Sequence, residues 1–411
     1  MKILFVTERY YPENDATALV VQLLCEELQN RKQEVHILSV TGSKKVEDCV
    51  VNNIPAFHVF SPTFASARAY VNECDGVVSR ASAMIDVAVN RISKKLAYDV
   101  SSTGVINRDV TKIERKIREL INEHGYDVVI TATAAFSKAV ALESLARSKE
   151  FRGKVKFGLI ETDPYVENIA SGMKGQRRRA RIKRGVYEAL DFCYITPQME
   201  RGLDGAVTEK YKDRIQTYEF PKLSPPVISS PSGIEFDREY INCVYLGMLD
   251  ASYRNPTEIL ERFKNVDKKI RLYIFGYGCE QIVSEYACER IIMGGSVSHD
   301  RASAICAEAD ILLNLNSTMH NMLPSKLLEY FSYGKPVINF SYINDCPSLK
   351  YTQKYPLCLN ISMGDRADDS RKIEEFAISK SKASIPISEV EKLFSDCTPG
   401  CLAKSILSWI Q

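Results

Sequence analysis

LPSKLLEYFSYGKPVINF, Leu323 to Phe340, is the stretch whose reading decides the fold. Pro324 and Ser325 signal a helix start, Lys326 to Tyr333 a short amphipathic helix, and Gly334 with Pro336 its stop, before an apolar strand. Loop, helix and buried strand follow one another as they do in an α/β domain. A helix that begins in this way points unpaired N–H groups and the positive end of its dipole into the space before it, which favours an anion. Lys326 adds a full charge there. Glu329 lies one turn beyond Ser325 and can face the same cleft, where a carboxylate accepts hydrogen bonds from a sugar diol. The group suits a nucleotide, with phosphates at the helix start and ribose against Glu329. An ordinary capped helix would show the same residues, so both readings stay open at this point.

Upstream of this stretch a series of strands and helices alternates: strand Cys243–Leu246, helix Pro256–Phe263, strand Ile270–Phe275, helix Glu280–Cys288, a short strand Arg290–Met293, helix Asp300–Ala309 and strand Ile311–Leu315. Two strand ends carry glycine, Gly247 in YLGMLD and the pair Gly276 and Gly278 in IFGYGCE, which allows a backbone to approach a ligand closely. Arg254 follows in a short loop, within reach of phosphates at the Lys326 helix. The series begins after Phe220 to Asp237, which holds four prolines among serines and is the best domain boundary in the chain. The division expected is residues 1–225, 226–387 and a helical segment 388–411, interrupted near Pro399.

The amino-terminal part opens as a βαβ unit: strand Ile3–Val6, helix Ala18–Arg31 capped by Asn14 or Asp15, strand Val35–Val40. In open parallel sheets the ligand crevice lies at the carboxyl ends of the strands, which puts Thr7 to Thr17 on its rim. Glu8, Arg9, Tyr10 and Asp15 are candidates to touch a substrate, or only polar connectors. A further strand, Ile54–Phe60, precedes a mostly helical insertion from Phe64 to about Glu123; strands return at Asp127–Thr131 and Val155–Ile160. The last runs into Glu161, Asp163 and a proline turn, so Asp163 is a second rim residue, as base, hydroxyl ligand or simple turn aspartate. Lys174 to Arg184, KGQRRRARIKR, opens a helix reaching about Leu190 before a strand at Phe192–Thr196. Arg177, Arg178, Arg179, Arg181, Lys183 and Arg184 present either a solvated basic face or a surface for anionic lipid headgroups or a phosphorylated acceptor.

With 54 basic and 52 acidic residues in 411, the chain has no global pull toward nucleic acid or membrane, and its length predicts two domains. Its twelve cysteines form no CxxC pair or Cys/His cluster, which excludes a zinc site or disulfide framework and predicts free thiols in a reducing cytosol. MKILFVTER has too short an apolar run for a signal peptide, and no stretch approaches a membrane span. A cytoplasmic protein is expected, touching the inner face of the cell membrane if it meets a membrane at all.

The order of these signals resembles that of the GT-B glycosyltransferases, specifically the retaining family 4 type of bacterial polysaccharide assembly. VYLGMLDASYRNP, LYIFGYG, GGSVSHDRASAICAEADILLNLN and LPSKLLEYFSYGKPVI carry the likeness in the carboxyl half, and MKILFVTERYYPENDATALVVQLLCEELQNRKQEVHILSVT in the amino half. The resemblance implies two Rossmann-like domains facing across a cleft, with the C-terminal helix packing back toward the N-terminal domain. It implies a nucleotide-diphospho-sugar co-substrate, with no other cofactor, held in the C-terminal domain. Arg254 and Lys326 would bind its diphosphate and stabilise charge on the leaving group, with the backbone at Asn321, Met322, Leu323 and Ser325. Glu329 would take the ribose, and Gly247, Gly276, Gly278 and Val297 would border the base. The acceptor, a glycan or lipid-linked sugar, would sit around Tyr10, Asp15, Thr17 and Asp163. No metal is expected, since no convincing DxD motif is present. Three positions depart from the family pattern: Asn321 stands where the first of two spaced glutamates is usual, Met248 where an arginine is frequent, and Asp15 with Ala16 where a glycine pair occurs. These departures keep a non-catalytic GT-B-like subunit as the alternative to a transferase. A nucleotide-sugar epimerase on the same scaffold would need a catalytic acid and base, for which the sparse histidines and single motif glutamate argue poorly.

Overall fold

The computed structural model describes residues 1–11, 15–61, 84–85, 88, 105, 107–133, 136–166, 175–200, 202–266, 269–364 and 368–410. The chain divides into two compact units, Met1–Glu219 with Pro399–Gln411, and Phe220–Thr398. The crossing expected after residue 225 falls six residues earlier. Phe220 and Leu223 are buried and the Leu223 N–H bonds to the Cys397 carbonyl at 3.1 Å, which ties the proline-rich segment into the second unit. The expected terminal segment 388–411 is likewise divided, because Pro399 starts a new helix that belongs to the first unit.

In the first unit the elements are β1 (Lys2–Glu8), α1 (Ala16–Asn30), β2 (Glu34–Thr41), β3 (Cys49–Val51), β4 (Ile54–Phe60), α2 (Asn107–His124), β5 (Val128–Thr133), α3 (Ser137–Arg147), β6 (Lys156–Glu161), α4 (Gln176–Ala189), β7 (Phe192–Ile195), α5 (Gly202–Thr208) and β8 (Ile215–Thr217). The sheet order is β3-β4-β2-β1-β5-β6-β7-β8, parallel except for the β3–β4 hairpin. Central β1 and β5 read as unbroken apolar runs because helices cover both faces of a parallel sheet. Asp15 caps α1, its carboxylate accepting the Ala18 N–H at 2.9 Å; Asn14 lies outside the described residues. So does most of the insertion expected to be helical from Phe64, of which α2 is the described part.

The second unit holds β9 (Ile241–Met248), α6 (Thr257–Lys264), β10 (Ile270–Tyr277), α7 (Glu280–Tyr286), β11 (Ile291–Gly295), α8 (His299–Glu308), β12 (Ile311–Leu315), α9 (Lys326–Ser332), β13 (Val337–Ser341), α10 (Leu349–Thr352), β14 (Cys358–Ser362), α11 (Asp369–Lys380) and α12 (Ile387–Leu393). Its sheet is wholly parallel, ordered β11-β10-β9-β12-β13-β14. The reversal of strand order beside β9 brings the loops after β9, β10 and β12 to one edge, where such sheets take ligands. α13 (Pro399–Ile410) then returns to the first unit: Lys156 Nζ donates to the Ile410 carbonyl at 2.6 Å, a cation at the negative end of the helix, and Trp409 lies 6.3 Å from the Phe192 ring. Among the described residues all cysteines are free, and no helix is long and apolar enough to cross a membrane.

Candidate functional site

α9 is held at the strand ends by its own apolar side. Leu327, Leu328, Tyr330 and Phe331 are fully buried, each contributing about 1.5–3 kcal/mol of apolar burial. The Tyr330 hydroxyl also keys the helix to β9, accepting from the Leu246 N–H at 3.2 Å and donating to its carbonyl at 3.0 Å. This leaves Lys326 and Glu329, three residues apart, on the remaining face, where they form an ion pair of 2.8 Å. Ser325 takes up helical backbone angles before them and makes no capping bond with its side chain.

The two charges sit in a larger cluster. Burial acts to raise the Glu329 carboxyl, but Lys326, Lys222 and His299 together outweigh it and hold it below the usual carboxylate range. Burial likewise acts to lower the Lys326 ammonium, and Glu329 turns the balance upward, so the pair is ionised. Partial desolvation, joined by the charges of Lys326 and Lys222, keeps the His299 imidazole below its ordinary range against the pull of Glu329. One oxygen of the carboxylate, Oε2, is buried without a hydrogen-bond partner. An acceptor left so is an opening for a donor hydroxyl.

Arg254 stands at the neighbouring strand end. Its backbone pairs with Asp250 through two hydrogen bonds, 2.8 and 3.2 Å, which closes a tight loop after β9. The guanidinium reaches the Met248 carbonyl only at 3.4 Å through Nη1, and Nε is buried with no partner. The loop after β12 is fastened to the same place, the Thr318 N–H donating to the Tyr253 carbonyl at 2.9 Å. Asn321, Met322, Leu323 and Ser325, all half-buried, continue that loop to α9. Val297 lies half-buried in the loop after β11, whose Ser296 hydroxyl donates to the Gly276 carbonyl at 3.2 Å.

The strand-end glycines have a different use from the one expected. A Cβ at Gly276 would fall 1.9 Å from the Gly247 carbonyl oxygen, and one at Gly278 2.1 Å from that of Leu249. Both take φ in the left-handed region, +131° and +86°. Their missing side chains make room for the chain's own backbone.

Behind this edge lies a feature that periodicity did not single out. Asn314, Asn339 and Asn360 are in register on β12, β13 and β14, and their amides join at 2.7 and 2.8 Å. Asn316, just past β12, donates to Asn339 at 2.8 Å and to the Phe340 carbonyl at 2.7 Å. The signal was present as NLN in an otherwise apolar strand. Asn314, Asn316 and Asn339 are buried and satisfied, Asn360 closes the ladder at the exposed edge, and the bonds fix the register of the strands that present the loops.

In the first unit Asp15, Glu8 and Asp163 come together at the ends of β1 and β6. Burial first, then Glu8 and Asp15, push the Asp163 carboxyl up to about 6. Burial and Glu8 also raise Asp15, against the Ala18 N–H and Lys138. Glu8 is paired with the buried Lys138. Thr17 is buried with its hydroxyl 3.2 Å from that of Thr162. Arg9 holds a left-handed backbone, φ 48°, at the end of β1, a strained conformation for a residue with a Cβ. Since the folded pKa of Asp163 lies above its unfolded value near 3.8, the favourable protonated form is fully present below about pH 4 and is lost as pH rises through about 6. Asp163→Asn is therefore expected to raise the melting temperature of this unit at pH 8, a gain that shrinks as the pH is lowered toward about 4. A pH-independent difference between variant and wild type in scanning calorimetry would contradict it.

Two groups of expected residues are corrected here. Tyr10 is buried, with its hydroxyl committed to Gln22, and so belongs to the core beneath the rim. On α4, Arg179 and Lys183 are fully buried. The Arg179 Nε donates to the Val166 carbonyl at 3.1 Å and Lys183 Nζ is paired with Glu161 at 3.0 Å, because the helical period turns every third or fourth residue of the basic run onto the sheet. Arg177, Arg178, Arg181 and Arg184 remain exposed.

Residues 241–350, which hold every strand end just described in the second unit except that of β14, match the family of Glycosyl transferases group 1. The whole chain is similar in fold to a sucrose-phosphate synthase from Thermosynechococcus elongatus, with a TM-score of 0.66 at 12% identity over 99% of this chain and 98% of the other. It is similar to HepE of Anabaena in complex with UDP-glucose, with a TM-score of 0.56 at 12% identity over 99% of each chain. The UDP-GlcNAc 2-epimerase of Methanocaldococcus jannaschii is also similar, at 0.56 and 10% identity over 100% of both. A search of curated protein sequences finds no match. The segment 241–350 thus carries the group 1 glycosyl transferase pattern, and the complete chain has the GT-B fold.

Proposed function

We propose that this chain is a nucleotide-sugar-dependent glycosyltransferase that adds a sugar, with retention, to a hydroxyl of a glycan or lipid-linked acceptor in surface polysaccharide assembly. The observation that carries the reading is two unsatisfied buried atoms at the carboxyl edge of one sheet, Arg254 Nε and Oε2 of Glu329, whose other oxygen is paired with the Lys326 ammonium. A carboxylate oxygen lacking a donor suits a ribose hydroxyl. A guanidinium nitrogen lacking an acceptor suits a phosphate oxygen. The group 1 match over this segment and the UDP-glucose bound by HepE support the same assignment.

In this reading Arg254, Lys326 and the backbone from Asn321 to Ser325 hold the diphosphate, and Val297 borders the base. Departure of the sugar puts negative charge on that diphosphate, which two fixed cations stabilise without reorganising. The acceptor hydroxyl attacks the face the diphosphate leaves. Asp15, Thr17 and Asp163 are the acceptor-side candidates, with Asp163 ionised at neutral pH and able to receive a proton or a hydroxyl hydrogen bond. No cofactor beyond the co-substrate is invoked. The protein works in the cytoplasm, and the exposed arginines of α4 bring it to anionic headgroups of the inner membrane leaflet, where lipid-linked acceptors lie. Replacing Arg177, Arg178, Arg181 and Arg184 by glutamine is expected to abolish sedimentation with anionic vesicles while leaving the melting temperature unchanged. Equal sedimentation of variant and wild type would remove the membrane role.

A second reading, a non-catalytic GT-B-like subunit, is favoured by Asn321 in place of a glutamate. A thermal-shift panel of UDP-, GDP-, ADP- and dTDP-sugars tests the proposal, since a ligand of the folded state raises the melting temperature by mass action. Selective stabilisation by one nucleotide, followed by transfer to an acceptor, is the expected result. Binding without hydrolysis or transfer would favour the subunit, and no binding would overturn the donor site.

A further inference from the structure

His320 and Asp345 form a pair on two loops at the carboxyl edge of the second sheet. The imidazole Nδ1 lies 2.9 Å from Asp345 Oδ1 and 3.1 Å from Oδ2, while Nε2 makes no hydrogen bond. A carboxylate only accepts, so Nδ1 carries the proton and, in the neutral ring, Nε2 is an acceptor directed away from the pair. Both side chains are two-thirds exposed. An ion pair so placed adds little to stability, about 0–1 kcal/mol.

Its position is more telling. His320 lies two residues after Thr318, whose N–H is bonded to the carbonyl of Tyr253, the neighbour of Arg254. It lies two residues before Met322, where the backbone assigned to the diphosphate continues toward Lys326. The chain spans at most about 3.6 Å per residue, so the His320 backbone is within about 7 Å of Met322. Both loops are anchored. Asn316 joins the β12 end to β13, and the Met319 N–H bonds to the Ser317 hydroxyl at 3.2 Å. Three residues beyond Asp345, the Ser348 hydroxyl is tied to Asn339 and to the Cys346 thiol, each at 3.3 Å. An imidazole with one ring nitrogen oriented by a carboxylate and the other open can receive a hydroxyl.

We infer that His320 Nε2 accepts a hydrogen bond from a hydroxyl of the sugar carried by the donor, with Asp345 as the positioning residue. The inference rests on the donor-site reading above and deepens it. The sugar is joined directly to the distal phosphate, so a group beside the diphosphate loop is next to it. A hydroxyl acceptor at this place discriminates for the sugar and adds nothing to the diphosphate.

The test is equilibrium binding to the full-length protein of the nucleoside diphosphate selected by the thermal-shift panel and, separately, of its sugar conjugate. His320→Ala is expected to leave affinity for the diphosphate within about twofold and to reduce affinity for the conjugate by about 5- to 15-fold, the range of one hydrogen bond. Asp345→Ala should reproduce most of that loss, and Asp345→Asn, which keeps an oxygen to accept from Nδ1, should restore it. Unchanged affinity for the conjugate in His320→Ala would overturn the inference and leave the donor site standing. An equal loss for diphosphate and conjugate would overturn it too, since the pair would then act on the phosphates or on the loop. Absence of nucleotide binding by the wild type would take down the donor reading and this inference together.

Discussion

Lys183→Ala is expected to destabilise the amino-terminal unit by about 3–5 kcal/mol, the cost of breaking a buried ion pair from one side. Lys183 and Glu161 are wholly inaccessible, and the carboxylate also receives the Tyr187 hydroxyl at 2.7 Å and the Tyr165 N–H at 3.3 Å. Without the ammonium the buried carboxylate loses the cation at 3.0 Å that balances its charge. Lys183→Met with Glu161→Leu removes both charges and restores apolar contact, so the double variant should recover much of the loss. Trp409, the one tryptophan in the chain, reports on this unit through its packing against Phe192, so denaturant titration followed by its fluorescence isolates the relevant transition. A loss below about 1 kcal/mol in Lys183→Ala would mean that the pair is solvated and that the basic helix is free to meet another surface.

For the nucleotide, Lys326→Ala is expected to weaken nucleoside diphosphate binding by about 1–3 kcal/mol, roughly 5- to 150-fold, as for one charge-assisted hydrogen bond. Two effects add. The variant loses the cation, and it frees Glu329 from its 2.8 Å partner, leaving a carboxylate facing the incoming phosphates with Lys222 as the remaining cation named beside it. Lys326→Ala combined with Glu329→Gln should therefore bind the diphosphate better than Lys326→Ala alone, although it loses the ribose contact. Titration calorimetry reads both variants and Arg254→Ala. Wild-type affinity in Lys326→Ala and Arg254→Ala alike would dismiss the site.

Several parts of this site were visible before the fold was. Lys326 and Glu329 could be set at one helix start from the sequence, though not as an ion pair, and Asp15 was one of two candidate caps before α1. Burial was harder to read. KGQRRRARIKR looks uniformly basic, yet Arg179 and Lys183 point inward because Val166 and Glu161, distant on another strand and turn, offer them a carbonyl and a carboxylate. Tyr10 looked like a rim residue because it follows β1, and it is core because Gln22, a dozen residues away on α1, takes its hydroxyl. His320 and Asp345 are 25 residues apart, and only the parallel pairing of β12 with β13 brings their loops side by side.

The order of strands and helices, the parallel sheets, and the residue types at the strand ends follow from the sequence alone, because hydrophobic period, caps and breakers act over a few residues and are written locally. The tertiary structure alone decided which of those polar residues are buried against partners of the core and which keep unmet hydrogen-bonding capacity. That difference depends on partners distant in sequence and on whether a buried donor or acceptor is already satisfied. Lys183 and Tyr10 found such partners and closed inward. Glu329 Oε2 and Arg254 Nε did not, and their unmet hydrogen-bonding capacity is what the donor-site proposal rests on.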